Sequence, residues 1–225
     1  MRIIAVDTTT PSGSVALLDD DRVLGVIGVE SASTHSTRLL ASVDFLLKAQ
    51  GLTVGEIDGF AVTPGPGSFT GLRIGLSTVK AFSFATGKPV ACVSSLAALA
   101  FKHIDGVEGL IGPMLDAKKG EIYAALYGRS GGRLKEIVPQ GAYAPEEFLK
   151  LLPRRIAVFA GNGVPLCRKR LQALLGDKAR FSSRPPFLAV ETGRLGGIIL
   201  KAGGGVDSAA VEPLYFRRSQ AEEGR

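Results

Sequence analysis

The sequence predicts an α/β protein built as two similar lobes, and three observations carry that reading. Up to Val93, short apolar runs and capped amphipathic stretches alternate in the order β-β-β-α-β-α-β. The second half repeats this style less clearly, with glycine turns between its apolar runs. The composition, 45% hydrophobic and 21% charged over 225 residues, is that of a globular chain long enough to need no disulfide staples.

Arg2–Asp7 reads as a short buried strand ending in an acid, Thr8–Gly13 as a turn, and Ser14–Leu18 as a second strand. Asp19-Asp20-Asp21 turns the chain into a third strand over Val23–Val29, giving an antiparallel meander. Ser33 or Thr34 caps a helix to Ala49, with Leu39, Leu40, Val43, Leu46 and Leu47 at helical spacing and Gly51 as its stop. A strand over Phe60–Thr63 leads into the rigid loop Pro64-Gly65-Pro66-Gly67. Ser68 or Thr70 then caps a helix to about Ala85 that stops at Gly87, and Pro89–Val93 is a strand followed by a helix over 94–104. In the second half, Gly112–Asp116, Glu121–Tyr127, Leu134–Pro139 and Ile156–Ala160 read as strands. Pro145–Leu152, the stretch from Gly161-Asn162-Gly163 to Leu175, and Ala189–Ala202 read as helices, the last despite Gly193, Gly196 and Gly197. The lobe boundary is expected near Asp105–Gly109, dividing the chain into 1–106 and 107–225.

Two scattered cysteines, Cys92 and Cys167, suit a reducing compartment. The opening apolar run ends at Asp7, too early for a signal peptide, and no apolar stretch is long enough to span a bilayer. A cytoplasmic protein is expected. The net charge of +6 is uneven. Residues 1–110 carry 8 Lys+Arg against 10 Asp+Glu, and residues 111–225 carry 19 against 11. The basic half either keeps the protein dispersed or faces a polyanion. No aromatic residue interleaves with Arg168-Lys169-Arg170, so no stacking platform for single strands is expected there.

Three segments carry a family resemblance. They are Ile4-Ala5-Val6-Asp7-Thr8-Thr9-Thr10 with Gly13–Leu17, the run from Thr63 through Pro64-Gly65-Pro66-Gly67 to Gly75, and Asp116-Ala117-Lys118-Lys119-Gly120-Glu121-Ile122-Tyr123. In this order and spacing the chain resembles the TsaB family, glycoprotease-like proteins of tRNA threonylcarbamoyladenosine biosynthesis. The likeness runs through Pro213-Leu214-Tyr215-Phe216-Arg217. It implies a two-lobed actin/Hsp70-like ATPase fold with a mixed five-stranded sheet in each lobe, flanked by helices. It also implies a non-catalytic dimerisation subunit that binds and activates a TsaD-type catalytic subunit. That subunit, with a TsaE-type ATPase, places threonylcarbamoyl on adenosine 37 of tRNA. Alone, the chain is expected to form a homodimer, and tRNA is expected to meet it indirectly.

In active relatives of this fold the first hairpin holds the phosphates of ATP, because backbone N–H groups in a tight turn point at the anion. Here Asp7, Thr8 and Thr9 stand at that turn, which lacks a lysine and loses one donor at Pro11. They are expected to be vestigial, with no cofactor required. The catalytic relatives carry two metal-binding histidines four apart, a spacing that puts both imidazoles on one helix face. The matching positions here are Ser95 and Leu99. The chain's two histidines, His35 and His103, lie in different elements, and both are expected at the surface near helix ends. No catalytic and no metal-binding residue is expected. The rival readings are an ATP-binding or ATP-hydrolysing enzyme of this fold, whose second phosphate turn would be Gly161-Asn162-Gly163, a metallopeptidase-like protein, and direct tRNA binding by the basic half, which should weaken steeply with salt. Asp116 reads as structural, paired with Lys118 or Lys119.

The second helix is apolar nearly all round, so something beyond the sheet must cover it. Gly71 and Gly75, four apart, would let another backbone approach closely. The resemblance implies that this helix and the one before it meet the catalytic subunit. By helix position the expected contacts are Arg38, Leu39, Ser42, Leu46, Gly71, Ile74, Gly75 and Thr78.

Overall fold

A computed structural model describes residues 1–30, 35–105 and 109–216. Among the described residues the chain divides into two compact units, Met1–Ser95 with Phe187–Tyr215, and Leu96–Pro186 with Phe216.

In the first unit, β1 (Arg2–Asp7), β2 (Ser12–Asp19) and β3 (Arg22–Glu30) form the expected antiparallel meander. β4 (Gly59–Val62) and β5 (Val90–Cys92) extend the sheet in parallel with β1, in the order β3-β2-β1-β4-β5. Strand side chains alternate between faces. Ile4, Val6, Val15 and Leu17 therefore meet α1 (His35–Ala49) and α2 (Phe69–Thr86) on one face, where Leu39, Val43, Leu46, Leu72, Leu76 and Val79 join them. Ile3, Ala5, Ala16, Leu18, Ala61 and Ala91 face the other way, toward α6 (Ala189–Lys201). The small residues of that face let α6 lie close. A Cβ on Gly193 would strike Leu18, and one on Gly196 would sit 2.5 Å from Ala61 Cβ.

This corrects the expected division at 106/107. Residues 187–215 belong with the first unit, because α6 covers the second face of its sheet. A sheet with two apolar faces needs both covered. The Ser33 or Thr34 cap of α1 lies outside the described residues. Ser68 caps α2, its hydroxyl accepting from Gly71 N at 3.3 Å, and Gly87 ends it in the left-handed region at φ 67°.

The second unit repeats the topology. β6 (Leu110–Lys118), β7 (Glu121–Ser130) and β8 (Arg133–Tyr143) are antiparallel. β9 (Ala157–Ala160) and β10 (Ala179–Phe181) follow in parallel with β6, in the order β10-β9-β6-β7-β8. α3 (Ser95–Phe101) leads into this unit, and α4 (Pro145–Lys150) and α5 (Val164–Leu175) belong to it. Met114, Leu126, Phe148, Phe159, Cys167 and Leu171 are in its core. β8 runs past its expected end at Pro139. An edge strand tolerates a residue with no N–H, and β8 is the edge. β10 has three residues, too few for its pattern to be read from the sequence. No helix among the described residues is long and apolar enough to cross a membrane.

Candidate functional site

The turn between β1 and β2 is clamped by its own side chains. Asp7 is fully buried, and its Oδ1 accepts from Thr9 N at 3.1 Å, Thr9 Oγ1 at 2.6 Å and Thr63 Oγ1 at 2.6 Å. Thr8 Oγ1 donates to Gly71 O at 2.7 Å, and Thr9 O accepts from Ser68 N at 2.7 Å. The turn thus rests on the first residues of α2. Ser14 Oγ accepts from Leu188 N and Ala189 N at 3.2 and 3.0 Å, capturing N–H groups at the start of α6. An anion-binding turn needs N–H groups aimed into open space. Here the Thr9 N–H is engaged by Asp7, and Pro11 has none to offer.

The same contacts correct the expectation for the two glycines. Gly71 and Gly75 are buried, and a Cβ on either would strike Thr8, at its carbonyl oxygen and its Oγ1 respectively. The close approach they allow is made by this chain's own hairpin. Leu39 and Leu46, 5% and 6% exposed, are core residues of the first unit and are corrected in the same way. Arg38 is exposed, while Ser42, Ile74 and Thr78 are half-buried, with Thr78 Oγ1 donating to Ile74 O at 2.9 Å.

α2 is not covered all round. Arg73, Ser77, Ala81, Phe84 and Ala85 face outward, and Phe84 is 85% exposed. On α1, Leu40 and Phe45 are 54% and 63% exposed. A groove of about 490 Å³ lies here, lined by Leu40, Val43, Leu47, Leu52 and Phe82 among others. Phe45 and Phe84 were not among the expected contacts. Phasing each helix on its buried residues would have found them, since Leu39, Val43 and Leu46 on α1 and Leu72, Leu76 and Val79 on α2 fix the inward faces.

The Pro64–Gly67 loop is held from two sides. Ser95 donates through its N–H to Gly65 O at 2.9 Å and through its hydroxyl to Pro66 O at 2.5 Å, and Leu214 N donates to Pro64 O at 2.8 Å. Ser95 is fully buried and Leu99 is 3% exposed. Among the described residues no group of three His, Cys, Asp or Glu side chains is placed to hold a metal ion.

In the second unit, Asp116 Oδ2 meets Lys118 Nζ at 2.9 Å, and Asp116 N donates to Asn162 Oδ1 at 3.1 Å. Partial burial pushes the Asp116 carboxyl up, but the bonds from Lys118 outweigh it and hold the group below its ordinary value. His103 corrects another expectation. It is 3% exposed rather than a surface residue, and burial, with Arg184 and Lys102 nearby, lowers its pKa to about 4. The side chain of His35 lies outside the described residues. Burial raises Cys167 to about 11, so its thiol stays protonated at neutral pH. The Arg168 guanidinium lies 4.4 Å from the centroid of the Phe181 ring, a pairing across the fold that sequence adjacency did not reveal.

Residues 17–179 match the family model described as TsaD, tRNA N6-adenosine threonylcarbamoyltransferase. Over nearly its whole length the chain is 32% identical to the Bacillus subtilis tRNA threonylcarbamoyladenosine biosynthesis protein TsaB, covering 99% of this chain and 96% of that protein. The chain belongs to the TsaB family, within this wider TsaD grouping. A solved structure of YeaZ from Pseudomonas aeruginosa is 29% identical with a TM-score of 0.80, covering 95% of this chain and 99% of that one. An activator of 2-hydroxyisocaproyl-CoA dehydratase from Clostridium difficile, with bound ADPNP, is 11% identical with a TM-score of 0.52, covering 90% of this chain and 97% of that one. It shares the fold alone. Each unit of this TsaB-family chain carries the mixed five-stranded sheet of the actin/Hsp70-like fold.

Proposed function

We propose that this chain is a non-catalytic subunit in the biosynthesis of threonylcarbamoyladenosine at position 37 of tRNA. It docks on a TsaD-type catalytic subunit through the outer faces of α1 and α2 and holds that subunit in its active conformation. Family membership supports the pathway, since the Bacillus subtilis relative is named for it. The observation that carries the docking role is the exposure of Leu40, Phe45 and Phe84 on these two helices. Exposed aromatic side chains of this kind mark binding surfaces. The hairpin supports the non-catalytic part of the reading, because Asp7 Oδ1 is bonded to Thr9 and Thr63 of this chain and Pro11 offers no N–H to a phosphate.

The reaction on this reading belongs to the partner, with a TsaE-type ATPase also required. The chain needs no cofactor of its own, and by itself it pairs with a second copy through the same faces. The test is reconstitution. Modified adenosine is assayed with the catalytic subunit, the ATPase subunit, tRNA and threonylcarbamoyl-AMP supply, with and without this chain. Modification should require the chain, and the chain alone should neither modify tRNA nor hydrolyse ATP. Turnover of ATP by the isolated chain would return the choice to the enzyme reading and make Asp7 the first residue to substitute.

A further inference from the structure

The two edges of the second unit's sheet differ in charge. At the β8 edge, exposed Arg133 and Lys135 stand beside exposed Glu136. At the β10 edge the cations dominate. Arg180 lies on the strand, Lys178 just before it and Arg184 just after, all exposed. Lys178 Nζ donates to Arg154 O at 3.3 Å, which brings the Arg154-Arg155 pair to the same edge, next to the start of β9. Arg168 of α5 reaches the edge through the ring of Phe181. Asp177 is the one acidic residue in the segment from Asp177 to Arg184. Arg155 and Arg180 have no carboxylate within 4.0 Å among the described residues.

One charged side chain is enough to stop a sheet edge from pairing with another. Six cations around a three-residue strand exceed that need, and mutual repulsion makes such a cluster costly unless an anion meets it. The whole segment 96–186 carries 15 Lys+Arg against 8 Asp+Glu, a balance of +7. From this asymmetry we infer that the β10 edge is a contact surface for the phosphate backbone of a folded RNA, an inference resting on the reading above that the chain works on tRNA modification. The contact is to backbone and not to bases. The aromatic ring at this edge, Phe181, carries the Arg168 guanidinium and packs against Phe159, so its face is not offered to a base.

The test compares two charge reversals of equal size on opposite edges of one sheet. Arg155→Glu/Arg180→Glu alters the β10 edge, and Arg133→Glu/Lys135→Glu alters the β8 edge. All four residues are exposed, and matched thermal melts check that both variants fold. Binding of the full chain to fluorescein-labelled tRNA is measured by anisotropy across a salt series. The KM for tRNA is measured in the reconstituted modification assay. Loss of two phosphate contacts should weaken binding about tenfold at moderate salt and flatten the salt dependence by roughly 1.5 in log–log slope. The same variant should raise KM with kcat unchanged, while the β8 variant stays at wild type.

Equal effects of the two variants would mean that only net charge matters and would overturn the inference. So would an unchanged KM, or wild-type chain that binds no tRNA at low salt. If the β10 variant loses binding to anionic vesicles of phosphatidylglycerol and phosphatidylcholine, or to polyglutamate, but not to tRNA, the edge serves another polyanion and the inference also fails. Dispensability of the chain in reconstitution is a separate result, which removes the proposed function itself.

Discussion

At the scale of single residues, the hairpin and His103 are the places where one side chain decides something measurable. Gly71 has no room for a methyl group because Thr8 O lies against its Cα. Gly71→Ala should destabilise the protein by about 1–3 kcal/mol, the usual range for overpacking, read as a lower urea midpoint at unchanged m-value. His103 titrates near pH 4 when folded and about 6.5 when unfolded. Its folded pKa is the lower one, so the unfolded chain takes up a proton first as the pH falls. The full stability is present above pH 6.5 and declines from there toward pH 4, by at most about 1.4 kcal/mol per pH unit. His103→Gln should flatten that part of the stability–pH curve. Equal slopes for variant and wild type between pH 7 and 4 would count against the buried, neutral imidazole.

At the scale of elements, the two helices of the first unit have a core side and an open side. Leu39, Val43 and Leu46 set the inward side of α1, and Leu72, Leu76 and Val79 that of α2. Phe45 and Phe84 stand on the open sides. Phe45→Asp/Phe84→Asp should therefore leave the melting temperature within a few degrees of wild type, since exposed positions contribute little to stability. It should weaken association with the catalytic subunit by at least about 2 kcal/mol, the scale of a hot-spot aromatic, measurable by calorimetry. Wild-type affinity in a folded variant would move the docking surface elsewhere. The cap of α2 is also testable. Ser68→Ala removes the acceptor for Gly71 N and should cost about 1 kcal/mol in a denaturant melt.

At the scale of the whole molecule, the return of α6 to the first unit is the main consequence of the fold. Without it, Ile3, Ala5, Ala16 and Leu18 would face water. A chain ending at Pro186 should lose its cooperative thermal transition and aggregate, although the cut falls outside residues 1–106. A sharp melt from that truncated chain, followed by circular dichroism, would show that the first sheet needs only one helical layer.

The sequence by itself determined the order of the elements apart from β10, most of their ends and the family. Strand alternation, helix periodicity and the signals at Ser68 and Gly87 act over a few residues and are written where they act. The motif segments around Asp7, Pro64–Gly67 and Asp116 were legible for the same reason. They also placed the turn on which Asp7, Thr8 and Thr9 sit, although not the bond from Thr63 to Asp7 and the bond from Thr8 to the Gly71 carbonyl that close it. Only the tertiary structure decided what each apolar or small residue faces. Gly71 and Gly75 read as an opening for a partner, but Thr8 of the same chain fills it. His103 read as exposed, but it is 3% exposed in the folded chain. Arg168 found its aromatic neighbour at Phe181, and α6 found its sheet at the far end of the chain. Burial depends on contacts between residues distant in sequence, and local pattern gives the stripe of a helix without naming the surface that will cover it.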